Sequence, residues 1–82
     1  MTYFDPSRLF YSHTSGPVST FFYEGIRIDA ASDGQYRFIT IGRGLPEQVM
    51  AALLHWFGMD TQRELARYRL PDNSRYYVQK AA

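Results

Sequence analysis

The sequence predicts an α+β fold: a small antiparallel sheet in the order strand, strand, helix, strand, strand, with one main helix packed on one face. Three observations predict it. β-branched and aromatic residues come in short runs broken by turn residues from Arg8 to Ile41; a single apolar stripe at helical spacing covers 45–57; and a second pair of strand-like runs flanks Pro71-Asp72-Asn73-Ser74. At 82 residues the chain has room for one core, so residues 1–82 read as a single domain.

Taken in order, the first segment, Asp5-Pro6-Ser7-Arg8-Leu9-Phe10-Tyr11, supports two readings. Asp followed by Pro suits a helix start, while Leu9, Tyr11 and His13 alternate as a strand would. Strands are expected near 18–29 and 35–42, joined at Asp33-Gly34, where glycine supplies the positive φ that a tight hairpin needs. Gly25, inside the first run, reads as a bulge or bend. The helix is expected over Leu45–Phe57, with Pro46 at its first position, Glu47 at the positive end of the dipole and Gly58 as the stop. Val49, Met50, Leu53, Leu54, Trp56 and Phe57 form its apolar face, with Leu53 and Phe57 expected in the core. Asp60 is placed to cap a short helix through about Ala66. Arg67-Tyr68-Arg69-Leu70 and Arg75-Tyr76-Tyr77-Val78-Gln79 then form the last hairpin, with Arg67 and Arg69 on one strand face.

The chemistry on offer is limited. With no cysteine, a disulfide scaffold, Cys-ligated zinc, an iron–sulfur cluster and thiol catalysis are excluded. His13 and His55 are the only imidazoles, and no acid or second histidine stands at ligand spacing on the face of His55. Gly42-Arg43-Gly44 could offer backbone N–H groups and a guanidinium to a phosphate. It lacks the third glycine and downstream acid of a dinucleotide site, and the Walker pattern, so it reads as two glycines easing a strand-to-helix turn. No catalytic residue, metal or cofactor is expected, and the chain reads as a non-enzyme. Met1-Thr2-Tyr3-Phe4-Asp5-Pro6 has neither the basic nor the apolar region of a secretory signal, and no stretch has the ~20 apolar residues of a membrane span. A cytoplasmic location is expected, with no membrane partner.

Charge and aromatics carry what functional signal there is. Nine basic residues against eight acids leave a formal charge of +1, but residues 1–60 balance at −2 and residues 61–82 at +3. Arginines outnumber lysine eight to one, and Arg63, Arg67, Arg69 and Arg75 lie among Tyr68, Tyr76 and Tyr77. Together with Arg43 they are candidate contacts for nucleic acid or an acidic partner, because guanidinium pairs with phosphate and tyrosine stacks on bases. The same residue types are enriched at protein interfaces. Seven Tyr, six Phe and one Trp exceed what one small core can take. Phe21-Phe22 and Tyr76-Tyr77 are consecutive in expected strands, so each pair loads both faces of the sheet. One strong helix covers one face. Unless the N-terminal segment covers the other, aromatic surface stays open and should bind a protein partner or a second copy of the chain, with Phe21 or Phe22 and Tyr76 or Tyr77 as anchors.

The favoured function is therefore a small protein-binding or self-associating module. Small chains without cysteines or motifs are often accessory proteins of phages or mobile elements, including inhibitors that act by occupying a partner's surface. The alternative is a nucleic-acid-binding domain using the Arg/Tyr-rich C-terminal hairpin, although Gly34-Gln35-Tyr36-Arg37-Phe38 lacks the glycine-aromatic-glycine core of a ribonucleoprotein sheet. A winged helix-turn-helix is a further variant, opposed by Leu54 and Glu64 at positions that want a small and an apolar residue. A small ribonuclease using Arg and Tyr side chains is a minor alternative.

Overall fold

A computed structural model describes residues 3–81. Its elements are a 3₁₀ turn Pro6–Arg8, then β1 (Leu9–Ser15), β2 (Val18–Tyr23), β3 (Ile26–Ser32), β4 (Tyr36–Ile41), α1 (Glu47–Trp56), β5 (Ala66–Arg69) and β6 (Arg75–Lys80). The α+β class and the single helix on an antiparallel sheet are as expected. The order is not: four strands precede the helix and two follow it, giving one six-stranded sheet arranged β1-β2-β3-β4-β6-β5.

The two extra strands have separate causes. Both readings of the N-terminal segment are realised in turn, since Asp5 accepts from the Ser7 N–H to start the 3₁₀ turn and Leu9 then opens β1. The run expected as one strand over 18–29 is folded back at Glu24-Gly25. Both residues have positive φ, 52° and 77°, the type I′ geometry whose twist matches that of the flanking strands. Gly25 is thus a hairpin turn and not a bulge; the bulge lies in β1, between Tyr11 and His13.

The Asp33-Gly34 hairpin forms as expected, with the Asp33 carboxylate accepting from the N–H groups of Gln35 and Tyr36. Those bonds stabilise the charged form and hold the Asp33 carboxyl below the usual carboxylate range. α1 runs from Glu47 to Trp56, inside the expected 45–57, with Pro46 as its N-cap and not its first residue. It ends at Gly58 in a Schellman motif: Met59 N–H donates to Leu54 O and Gly58 N–H to His55 O. The Arg37 guanidinium closes on Gly58, where any Cβ would collide with it, and donates to Phe57 O at 3.4 Å.

No second helix forms over 60–66, which removes the helix-turn-helix reading. Asp60 caps only a turn, accepting from Gln62 N–H. The buried Gln79 amide then holds the segment in a loop, accepting from Asp60 N–H and donating to Asp60 O and Glu64 O. A helix would need those backbone groups for itself. β4 and β5 consequently run in the same direction with β6 between them, so the chain contains a split β-α-β unit as well as hairpins.

All non-strand packing goes to one side of the sheet. Val49, Met50, Leu53 and Leu54 of α1 and Met59 beyond it bury Tyr23, Ile28, Ile39, Ile41 and Tyr77, with Phe4, Leu45, Phe57 and Leu65 against the same cluster. Leu53 is fully buried, as expected; Phe57 is half-buried at the helix end. The N-terminal segment joins this side too. Phe4 packs on Tyr23 and Trp56, and Asp5 N–H donates to the Tyr23 hydroxyl at 2.8 Å. No helix is long and apolar enough to cross a membrane among the described residues.

Candidate functional site

Alternation along each strand, combined with the pairing register, sorts the sheet into two faces. On the helix side one row crosses all six strands as Tyr11, Phe21, Ile28, Ile41, Arg75 and Arg69, and the next runs Ser19, Ala30, Ile39, Tyr77 and Arg67. On the opposite side the rows are Thr20, Asp29, Thr40, Tyr76 and Tyr68, then Val18, Ala31, Phe38, Val78 and Ala66, with Tyr36 beside Lys80 at one end and Phe10, Phe22 and Arg27 at the other. No element among the described residues lies over that second set.

The uncovered face has an ordered aromatic centre. Tyr36, Phe38, Tyr76 and Tyr68 form a chain with ring centroids 6.5, 6.5 and 5.8 Å apart, and the rings of Phe38 and Tyr76 are within 11° of parallel. Packing against its neighbours leaves Tyr68 53% exposed and Tyr36 41%, while Phe22 is 37% and Phe10 66% exposed at the far end. The polar groups on this face are largely paired. The Thr20 hydroxyl donates to Asp29 at 2.7 Å and the Arg27 guanidinium reaches the same carboxylate at 3.1 Å.

The candidate anchors divide between the faces. Phe22 and Tyr76 lie on the uncovered side. Phe21 and Tyr77 lie beneath the helix: Phe21 packs edge-on against Tyr11 and Phe57, and Tyr77 is 4% exposed, its hydroxyl donating to Met50 Sδ at 3.9 Å. Burial pushes the Tyr77 phenol above its ordinary pKa. Tyr77 is part of the core, and Phe21 is partly buried against its edge, so both lie on the covered side of the sheet.

The arginines divide differently. Arg67 and Arg69 share one face of β5, as expected, and with Arg75 they project on the helix side, away from Tyr68 and Tyr76. Arg43, beyond β4, joins Arg69 and Arg75 around one cavity, whereas Arg63 is turned aside, donating to Lys80 O at 2.8 Å. Residues interleaved in the sequence are therefore segregated in space. Of the residues that complete the aromatic face, Tyr68 stands out in the sequence only as a base-stacking candidate among the arginines, and Tyr36, Phe38, Asp29 and Lys80 do not stand out as contacts. Tyr36 and Phe38 do alternate, but only the β4–β6 register brings them beside Tyr76.

Both histidines are exposed, His13 beside Ser12 Oγ and His55 in the last turn of α1, and no group of three His, Asp or Glu side chains gathers among the described residues. No family model, no curated protein and no solved structure matches the chain.

Proposed function

We propose that this chain is a self-associating protein-binding module whose working surface is the uncovered face of its sheet. One observation carries the reading: the aromatic chain Tyr36-Phe38-Tyr76-Tyr68 lies on a face that no element among the described residues covers. An antiparallel sheet can leave one face to solvent when that face is polar, but a face carrying an aromatic cluster calls for cover, and large apolar patches on lone proteins mark interfaces. Six strands at ~4.8 Å spacing make a face about 25 Å wide, enough to supply roughly the 800 Å² per partner of a standard interface.

The charges on the face favour a second copy as the occupant. Asp29 and Lys80 stand diagonally on either side of Phe38, each one strand and one side-chain row away. A two-fold axis parallel to the sheet, above Phe38 and perpendicular to the Asp29–Lys80 diagonal, brings Lys80 of each copy to Asp29 of the other and stacks the two Phe38 side chains at the centre. The result is a sandwich of two sheets with a helix outside each, an isologous contact that closes on itself.

A nucleic acid fits this surface poorly. Stacking on Tyr68 and Tyr76 needs cations alongside to neutralise phosphates, and the arginines face the other way, while Arg27 is spent on Asp29. Sedimentation velocity over a concentration series tests the proposal. The expected result is a reversible monomer–dimer equilibrium, weakened by Lys80→Glu and restored when Asp29→Lys is added. A strict monomer at all concentrations would overturn it.

A further inference from the structure

A second candidate site lies on the helix side of the sheet, remote from the aromatic face. Arg43, Arg69 and Arg75 line one cavity of about 360 Å³, with Asn73 at its rim and Leu45 and Met50 as its apolar wall. The chain brings them there from three places: Arg43 from the turn after β4, Arg69 from the end of β5, and Arg75 from the start of β6. Arg69 and Arg75 are directly opposite in the antiparallel register and on the same face.

Like charges in that relation destabilise a strand pair, so the arrangement needs a compensating negative charge. The chain supplies only part of it. Glu47 binds Arg75 at 3.2 Å, and the Asp72 carboxyl, held low chiefly by hydrogen bonds from Ser74, also feels Arg43. Among the described residues the salt bridges take in Arg8, Arg27 and Arg75, and none takes in Arg69.

From this geometry we infer that the cavity between β5, β6 and the start of α1 binds a phosphate dianion, held by the forked N–H donors of Arg43, Arg69 and Arg75. Guanidinium matches phosphate oxygens two at a time, and three such groups around one space suit a dianion better than a single carboxylate. The Glu47 and Asp72 carboxylates at the margins repel any neighbouring phosphate. Arg37 and Arg63, which could extend a basic track, are engaged on the carbonyls of Phe57 and Lys80. The site therefore takes one isolated phosphate, free or as the monoester of a small molecule, and not a polynucleotide backbone. It rests on none of the argument for the aromatic face.

Inorganic phosphate is the probe, with thermal melting at constant ionic strength against chloride as the readout and arginine Nε–H resonances as the reporter of position. At tenfold excess over its dissociation constant, phosphate should raise the melting temperature by about 5 °C or more. Arg69→Gln should abolish that rise, and in chloride it should melt no lower than the parent, because it removes the opposed charges. Arg67→Gln, outside the cavity, should keep the full response. A nucleoside monophosphate serves as the second arm: a larger rise than with inorganic phosphate identifies an organic monoester leaning on Leu45 and Met50, an equal rise free phosphate. No phosphate-specific rise, a rise that survives Arg69→Gln, or tighter Arg69-dependent binding of an unphosphorylated oligonucleotide would each overturn the inference.

Discussion

The two faces of this sheet are built from the same kinds of residue and have opposite fates. On the helix side, aromatic and aliphatic rows run from Tyr11 and Phe21 through Ile28 and Ile41 and are sealed by Leu53 and Leu54, ending in arginines beside the start of the helix. On the other side Phe38, Tyr76 and Val78 stand beside the exposed Tyr36 and Tyr68 with no described element above them. What separates a buried face from an open one here is the supply of covering elements. A chain with one helix and a short N-terminal strap has enough for one side, and Phe4, Phe57, Met59 and Leu65 all go where α1 already is.

Substitutions on the two faces should therefore fail differently. The largest effect is expected from Leu53→Ala, which opens a cavity at the centre of the covered face and should cost about 2–5 kcal/mol of monomer stability by thermal or denaturant melting. For a domain of this size that is a large part of the total. Tyr76→Ser, on the open face, should spare the fold and instead raise the dimer dissociation constant about 30-fold, as loss of a central aromatic anchor worth ~2 kcal/mol would. If Tyr76→Ser unfolds the monomer as readily as Leu53→Ala, the faces are not distinct in the way described.

Thr20→Val should fall lower, at about 1 kcal/mol of stability, because it removes one hydrogen bond to the Asp29 carboxylate without leaving a void. The smallest effect concerns acid. Asp33 has its carboxyl pKa lowered in the fold, so its contribution is present above about pH 4, the unfolded range, and is lost as pH falls through the lower folded value. Asp33→Asn should lack that part of the acid-dependent decline in melting temperature; an unchanged decline would show that the turn bonds carry no linkage.

Local features were legible where local chemistry decides them. Asp33-Gly34, the Schellman end at Gly58, the apolar stripe of α1 and the final hairpin each announce themselves within a few residues. The Glu24-Gly25 turn was hidden because glutamate is not a usual residue at positive φ. A signal was nevertheless present: inward residues switch from odd positions, Phe21 and Tyr23, to even ones, Ile26 and Ile28, which a continuous strand cannot do. The loop at 60–65 was not legible, because what prevents a helix is Gln79, far along the chain.

The site divides in the same way. Alternation alone states that Phe21 and Phe22, or Tyr76 and Tyr77, point apart, and that Arg67 and Tyr68 do too. Which of each pair is covered depends on where the helix lands. The interleaved Arg/Tyr pattern that suggested one nucleic-acid surface becomes, through that alternation, an aromatic face and an arginine cavity on opposite sides.

The chain contains no cysteine, so a single introduced thiol reports its own surroundings. The most direct measurement of the central claim is cross-linking of Phe38→Cys by a short bismaleimide, with Arg67→Cys on the covered side as the reference. Rapid formation of a covalent dimer through position 38 and none through position 67 is the predicted result. Failure of position 38 to cross-link, or equal cross-linking at both positions, would contradict a dimer built on the uncovered face.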